Sequence, residues 1–238
     1  MKKLSFLFLL FFILMVAVNY GTSGQVSTVA NAGASVIQPA GYTFSIWGAI
    51  YLLVFAWIIR GFFIQSSLYE QLKILVPLNF ILNALWVITF SREYVILSVI
   101  IIFGLLVTLI LIFRIIHASP DAKGFDYVPF SLYFGWVTVA SIVNIFTAFL
   151  QYDQTEFLGL SEMTWAVIVI IVATLLTIFI TWSFKDVVYG LAVIWAFIGI
   201  IVQTDSSLLT IVLTVAIALI AIVWLIVVWQ KLRNHHSL

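Results

Sequence analysis

The chain has 238 residues, of which 65% are apolar and 8% are charged, with ten basic and nine acidic side chains. Soluble domains carry roughly 45–50% apolar and about 25% charged residues, so this composition excludes a water-soluble fold. The net charge of +1 provides no basic patch for nucleic acid, and the absence of cysteine excludes disulfides, thiolate metal sites and cysteine nucleophiles. The continuous apolar runs are too long for barrel strands of about 9–11 residues, which predicts an all-α integral membrane protein.

Eight apolar segments are predicted to cross the bilayer, because each approaches the length of about 20 residues that a helical span needs. The first and the seventh are short, and Gly190 and Gly199 lower the helix propensity of the seventh. The segments lie at about residues 4–20, 43–63, 74–90, 94–113, 127–149, 164–182, 187–202 and 207–229.

The N-terminus allows two interpretations. Lys2 and Lys3, followed by apolar residues 4–18, resemble the start of a signal peptide, and residues 29–32 resemble a cleavage site. Because that site lies well after the end of the apolar run, we predict that the first helix is retained. Cleavage is the second interpretation.

The basic residues predict the orientation of the chain. If the eight segments alternate from a cytoplasmic N-terminus, Arg92 alone falls outside, and the other nine basic residues lie on the cytoplasmic side, as the positive-inside rule requires. These nine are Lys2, Lys3, Arg60, Lys73, Arg114, Lys123, Lys185, Lys231 and Arg233. We therefore expect both termini in the cytoplasm.

Ionisable side chains are missing from the centres of the predicted spans. Such residues usually mark ion pathways and proton relays, so the sequence argues against an ion-coupled pump. The three histidines, His117, His235 and His236, fall in predicted cytoplasmic segments. Neither a nucleophile elbow nor a zinc-protease motif is present. We expect no catalytic residues, no metal site and no cofactor.

Uncharged polar and aromatic residues recur at helical spacing in the second, third and fifth spans. Each set shares one face of its helix. We call these sets the three stripes; they are Phe44, Trp47 and Tyr51; Asn79, Asn83 and Trp86; and Tyr133, Trp136, Ala140 and Asn144. Converging faces of this kind would line a small-molecule site. Alternatively, the asparagines join helices by hydrogen bonds and the aromatic rings only pack. The uncharged loop predicted at residues 21–41 is either a lid or a passive linker.

Three motifs resemble the TspO/MBR family, which includes the tryptophan-rich sensory proteins and the mitochondrial translocator protein. Residues 39–51, Pro-Ala-Gly-Tyr-Thr-Phe-Ser-Ile-Trp-Gly-Ala-Ile-Tyr, resemble the start of the family's second helix. Residues 82–86, Leu-Asn-Ala-Leu-Trp, are similar to its Leu-Asn-x-x-Trp. Residues 136–140, Trp-Val-Thr-Val-Ala, together with Asn144, are similar to its Trp-Val-x-x-Ala-x-x-x-Asn. The resemblance covers about residues 1–150.

The resemblance implies a five-helix transmembrane domain at residues 1–150, followed by a three-helix extension at 151–238. It implies a cavity, closed by the first loop, for a porphyrin or sterol-like ligand, and a homodimer in a bacterial plasma membrane. The implied ligand-binding residues are Pro39, Tyr42, Phe44, Trp47, Tyr51, Asn83, Trp86, Trp136, Ala140 and Asn144. The family's loop tryptophan, associated with porphyrin breakdown, is missing, and Tyr42 and Pro39 stand in its place.

The leading hypothesis is a TspO-like membrane protein with a sensory or transport-related role, which binds a planar hydrophobic molecule between its first five spans. A small-molecule transporter is a second hypothesis, although the stripes have no counterpart after residue 150 that would indicate a repeat. A light-dependent porphyrin-degrading enzyme is a third, and a membrane assembly factor without a ligand is a fourth.

Overall fold

The computed structural model describes the backbone of residues 2–32, 35–151 and 156–235, and the side chains of these residues except 23–32, 150, 151, 157, 234 and 235. These parts of the chain form helices and one hairpin of two-residue strands, β1 (Glu156–Phe157) and β2 (Leu160–Ser161). The helices are α1 (Lys2–Ala32), a 3-10 turn (Gly41–Ser45), α2 (Ile46–Arg60), α3 (Ser67–Gln71), α4 (Leu75–Ser91), α5 (Val95–Ala118), α6 (Gly124–Gln151), α7 (Glu162–Phe184), α8 (Tyr189–Gln203) and α9 (Ser207–His235).

The eight predicted spans correspond to eight apolar helices, which confirms the all-α membrane fold. Six of them are long and apolar enough to cross a bilayer, whereas α4 and α8 have 17 and 15 residues. The prediction of a short seventh span is thus confirmed, but the prediction of a short first span is wrong because the apolar part of α1 runs over Lys2–Thr22.

The predicted unstructured loop at residues 21–41 is also wrong over much of its length. Helix α1 continues past its apolar part to Ala32. The small and polar residues in this part of the chain have weak helix propensity. Because the helix that precedes them is already formed, however, they extend it without the cost of nucleation. The connection that begins after α1 is therefore much shorter than predicted.

The first five apolar helices, α1, α2, α4, α5 and α6, form a closed ring. Helix α1 packs against α2 and α4, α2 packs against α6, and α5 lies between α4 and α6. The inward faces carry large buried side chains, including Phe8 and Met15 of α1, Trp57 of α2 and Phe130 of α6. Helix α1 is therefore one wall of the ring; its retention after synthesis stays a prediction.

The last three helices, α7–α9, pack against one another and reach the ring mainly through α8, which lies against α6. Gly135 of α6 allows this approach, because a Cβ there would lie 2.5 Å from the backbone oxygen of Tyr189. Two side-chain hydrogen bonds cross the junction, from Ser131 to the Asp186 carboxylate at 2.5 Å and from the Tyr189 hydroxyl to Thr138 at 3.0 Å. The boundary at residue 151 coincides with the end of α6 and stays a prediction.

One end of the bundle, which we call the basic end, carries the ends of α2 and α5 and the starts of α1 and α6. Asp126 is buried there and accepts hydrogen bonds from the Trp57 indole at 2.9 Å, from Arg60 at 2.5 Å and from the backbone N–H of Lys123 at 2.8 Å. The Tyr69 ring stacks on Trp57 at 4.4 Å. These contacts tie α3 and the ring helices together at the side predicted to be cytoplasmic.

Candidate functional site

A cavity lies among α2, α4, α6 and the segment that precedes α2, in the half of the ring away from the basic end. Its volume is about 30 Å³, enough for one or two water molecules but far below the roughly 300–1,000 Å³ of sites that hold a drug-sized ligand. It is lined by Gln38, Pro39, Phe44, Trp47, Trp86, Phe90, Trp136, Val139, Ala140, Val143, Asn144 and Thr147.

The three stripes converge on this cavity. The residues of the implied binding set that line it are Pro39, Phe44, Trp47, Trp86, Trp136, Ala140 and Asn144. They come from four separate elements, so helical spacing in the sequence identified faces that meet in space. The cavity walls are aromatic and aliphatic, with a small number of polar groups, as is usual for small-molecule sites.

Trp47 lies at the centre of the aromatic wall. Its ring is 6.2 Å from Trp86 and tilted by 31°, and it is 6.3 Å from Trp136 and nearly perpendicular to it. Phe44 meets Trp136 edge to face at 5.8 Å. Aromatic pairs prefer such offset and edge-on arrangements. The rings therefore fill the space among the helices by packing on one another, which explains the small volume.

Asn144 is engaged on both sides of its amide. Its Oδ1 accepts a hydrogen bond from the Trp86 indole at 2.8 Å, and its Nδ2 donates to the Ser98 hydroxyl at 3.0 Å. Ser98 lies on α5, so this group of three residues connects α4, α5 and α6. The amide thereby fixes the orientation of the Trp86 ring in the cavity wall.

The Trp136 indole is the exception among these polar groups. Trp136 is 2% exposed, and its Nε1 has no hydrogen-bond partner in the described part of the chain. An unpaired buried donor costs about 1–3 kcal/mol. Because Trp136 lines the cavity, an acceptor atom on a bound molecule could satisfy this donor.

Three residues of the implied set do not line the cavity. Tyr42 is 45% exposed and meets Trp195 of α8 edge to face at 5.5 Å. Tyr51 lies one helical turn beyond Trp47 and contacts its ring at 5.5 Å. Asn83 accepts a hydrogen bond from Asn19 at 2.9 Å and donates to the Tyr133 hydroxyl at 2.7 Å.

The polar stripes thus have two separate uses. Asn83 joins α4 to α1 and α6, and Asn79 donates to Thr108 of α5 at 2.9 Å, so both connect helices. Asn144 also connects helices, and with its aromatic neighbours it lines the cavity. The interpretation of the asparagines as interhelical contacts therefore holds for all three, and the interpretation of a cavity holds in addition for Asn144.

Several lining residues were not predicted from the sequence. Phe90 follows Trp86 by one helical turn, and Val143 and Thr147 follow Ala140 by one and two turns, so extending the stripes would have found them. Val139 is an ordinary apolar residue in the sequence, and Gln38 is a single polar residue beside Pro39. Neither Val139 nor Gln38 carries a signal of its own.

The described lining residues include no ionisable side chain. The cavity therefore offers aromatic surface for stacking and aliphatic surface for burial, and the unpaired indole N–H of Trp136 belongs to a residue of its wall. These properties suit the binding of a planar apolar molecule that carries an acceptor group. None of the described lining residues carries a side chain that usually serves as a general acid or base.

Comparison with known proteins identifies the family. A sequence model of the TSPO-like protein family matches residues 5–229, which includes α7–α9 as well as the region that carries the three motifs. No curated protein and no solved structure matched the chain. Because the match extends over nearly the whole chain, the protein belongs to the TSPO-like protein family.

Proposed function

We propose that this protein binds a planar, largely hydrophobic small molecule, of which a tetrapyrrole is the leading example, in the aromatic cavity between α2, α4 and α6. The observation that carries the proposal is the convergence of Trp47, Trp86 and Trp136 on one cavity in which the Trp136 donor has no partner among the described residues. Membership of the TSPO-like family supports it.

Binding would occur through burial and stacking. Burial of apolar surface contributes about 25 cal/mol per Å², so a flat ligand between indole rings gains most of its affinity from contact area. The Trp136 indole would donate to a carbonyl or carboxylate oxygen of the ligand and fix its orientation. Asn144 would act indirectly, by holding the Trp86 ring in position at 2.8 Å.

The cavity must enlarge when such a ligand binds. A volume of about 30 Å³ cannot hold a tetrapyrrole, so the aromatic rings and the segment that contains Gln38 and Pro39 must move as the ligand enters. Such a rearrangement suits a sensor, because ligand binding is then coupled to a change in shape. We therefore propose a binding or sensory role rather than catalysis.

We also propose that both termini face the cytoplasm. The contacts of Arg60, Asp126 and Tyr69 gather several predicted cytoplasmic segments at the basic end. The cavity lies in the opposite half, so a ligand would reach it from the outer half of the bilayer. This orientation would be tested by introducing single cysteines at each end of the helix bundle and labelling them with a thiol reagent in intact cells.

Titration of the purified protein with protoporphyrin IX in lipid nanodiscs tests the binding proposal. Porphyrin absorbance is the signal, so that loss of a tryptophan does not alter the readout. Ala140→Phe fills the cavity and should abolish binding. Trp136→Phe removes the indole donor but retains a ring, and should weaken binding by about two- to tenfold, as loss of one hydrogen bond predicts.

Trp224→Phe is the matched control. Its indole donates to the backbone oxygen of Val187 at 2.7 Å. Neither residue lines the cavity, so the substitution should leave binding unchanged. The proposal fails if the wild-type protein binds protoporphyrin no better than an unrelated membrane protein does, or if Ala140→Phe binds as tightly as the wild type.

A further inference from the structure

Residues 35–43, which we call the closing segment, connect α1 to α2 and form part of the cavity wall. Gln38 and Pro39 of this segment line the cavity. Gln38 is 4% exposed and Thr43 is fully buried. The segment is thus packed into the protein although its residues 35–40 lie outside the helices.

Three hydrogen bonds among the described residues join the closing segment to α7 and α8. The backbone N–H of Val36 donates to the Glu162 carboxylate of α7 at 2.9 Å. The backbone N–H of Ala40 donates to the carbonyl of Gly199 at 3.0 Å. The Trp195 indole of α8 donates to the carbonyl of Thr43 at 2.8 Å.

Packing reinforces these hydrogen bonds. A Cβ at Gly199 would collide with the Thr43 side chain, so the glycine is what allows the segment to lie directly on α8. The Tyr42 ring meets Trp195 edge to face. Ile37 is 2% exposed and lines a small cavity together with Phe197 and Ile200 of α8.

We propose that Glu162, Trp195 and Gly199 are positioning residues for the ligand site. They form a clamp that holds the closing segment, and with it Gln38 and Pro39, in the cavity wall. None of the three lines the cavity. Ligand exchange, which rests on the proposed function, then requires the closing segment to release from α7 and α8. The last three helices thereby acquire a role in ligand access.

The absence of cysteine from the chain allows a direct test. Val139 is 3% exposed and lines the cavity, so a Val139→Cys substitution in the full-length protein reports access to the cavity wall. The rate of alkylation by N-ethylmaleimide in nanodiscs is measured with and without changes in the clamp. Glu162→Ala and Trp195→Phe should each increase the rate about fivefold, as loss of one hydrogen bond from a local opening equilibrium predicts.

Matched variants separate the clamp from general effects. Glu162→Gln keeps an acceptor for Val36 and should label at the wild-type rate. Glu156→Ala removes a neighbouring carboxylate from β1, and Trp224→Phe removes an indole donor within the last three helices; both should label at the wild-type rate. An Ala216→Cys reporter, buried on α9, should show no increase with any clamp variant.

Hydrogen exchange provides a readout without a cysteine. Because Val36 and Ala40 donate their amide hydrogens to the clamp, peptides that contain them should exchange faster in Glu162→Ala and Trp195→Phe. The clamp is rejected if both labelling and exchange are unchanged. It is also rejected if the labelling rates of the reporters at Val139 and Ala216 increase equally, because the substitutions would then loosen the whole protein.

The dissociation rate of protoporphyrin IX distinguishes this proposal from the proposed function. Neither labelling nor hydrogen exchange requires a ligand. Faster labelling in a protein that does not bind protoporphyrin would support the clamp and reject the tetrapyrrole proposal. Protoporphyrin binding with unchanged labelling, exchange and dissociation rates would reject the clamp alone. Together, the two proposals predict about fivefold faster dissociation from Trp195→Phe.

Discussion

Trp195 and Thr43 lie 152 positions apart in the chain, and the Trp195 indole donates a hydrogen bond to the backbone carbonyl of Thr43 at 2.8 Å. Thr43 lies in the 3-10 turn that leads into α2, and Trp195 lies in the middle of α8. The contact joins the wall of the aromatic cavity to the last three helices. Thr43 also packs on Gly199, which lies one helical turn after Trp195.

Gly199→Ala should destabilise the protein by about 1–3 kcal/mol, the usual cost of overpacking. The new Cβ would collide with the Thr43 side chain, which has little room to move because Thr43 is fully buried. The midpoint of thermal unfolding in detergent measures the effect. Thr43→Ala removes the two nearest atoms and should partly restore stability in the double variant.

Gly48→Ala is the matched control for this prediction. A Cβ at Gly48 would meet no atom within 4 Å, and alanine is favoured over glycine in a helix by about 0.8–1 kcal/mol. This variant should therefore unfold at the same temperature as the wild type or higher. An unchanged midpoint in Gly199→Ala would contradict close packing of the closing segment on α8.

Asn83 and Tyr133 should be energetically coupled. Asn83 donates to the Tyr133 hydroxyl at 2.7 Å between buried faces of α4 and α6, and such interhelical hydrogen bonds contribute on average about 0.6 kcal/mol and at most about 1.7 kcal/mol. A double-mutant cycle with Asn83→Ala and Tyr133→Phe, read from unfolding free energies, should give a coupling in this range. A coupling of zero would show that the pair does not join the helices.

The same cycle separates interhelical contacts from the ligand site. Because neither Asn83 nor Tyr133 lines the cavity, Tyr133→Phe should lower stability while changing protoporphyrin affinity less than Trp136→Phe does. The reverse order of effects on affinity would place Tyr133 in the binding site.

Asp126→Asn should lower the unfolding free energy by about 1.5–3 kcal/mol, the range for hydrogen bonds to a charged group. The carboxylate is 1% exposed and accepts from the Trp57 indole, from Arg60 and from the backbone of Lys123. An amide loses the ion pair and presents a donor where an acceptor is needed. Chemical unfolding in mixed micelles measures the change.

Glu70→Gln provides the comparison for a solvent-exposed ion pair. Glu70 pairs with Lys73 at 2.5 Å, and both side chains are about half exposed, so the pair should contribute about 0–1 kcal/mol. Equal losses from Asp126→Asn and Glu70→Gln would mean that burial does not strengthen the contacts of Asp126.

Ser67→Ala should raise the pKa of Asp121 toward the ordinary aspartate value of about 3.9. The hydroxyl of Ser67 donates to the exposed Asp121 carboxylate at 2.5 Å, and its backbone N–H donates at 3.1 Å; these hydrogen bonds lower the pKa of Asp121. An NMR titration of the Asp121 carboxyl carbon measures the shift. Ser207→Ala, at the first position of α9, is the control and should not change it.

The sign of the pH dependence follows from this lowered pKa. A carboxyl group with a lower pKa in the folded protein contributes stability above its unfolded pKa, and this contribution is lost as the pH falls through the folded value. The attachment of α3 to the loop between α5 and α6 should therefore weaken below about pH 4. Protection of the Ser67 amide against hydrogen exchange that did not decrease below about pH 4 would contradict this expectation.

The local pattern of the sequence was sufficient for the membrane fold and for much of the cavity. The lengths of apolar runs predicted the helices, because hydrocarbon favours continuous helical segments regardless of which neighbours they have. Helical spacing placed Trp47, Trp86 and Trp136 on faces that do converge. The aromatic composition of the cavity follows from these two local properties.

Other features depend on how each helix is rotated against its neighbours, which spacing within one helix cannot specify. Asn83 and Asn144 lie on similar stripes and both join helices, yet of the two it is Asn144 that also lines the cavity, where it holds Trp86. Tyr42 belongs to the same motif as Phe44 but faces Trp195 instead of the cavity. Only tertiary packing distinguishes these cases.

By itself, the sequence determined an all-α membrane protein with a set of aromatic faces, because hydropathy and helical period are local properties of the chain. The tertiary structure alone decided that α7 and α8 hold the closing segment. The contacts of Glu162, Trp195 and Gly199 join residues more than a hundred positions apart. The sequence around a backbone carbonyl that accepts a hydrogen bond, or around a glycine that leaves room for Thr43, does not indicate which residue it contacts.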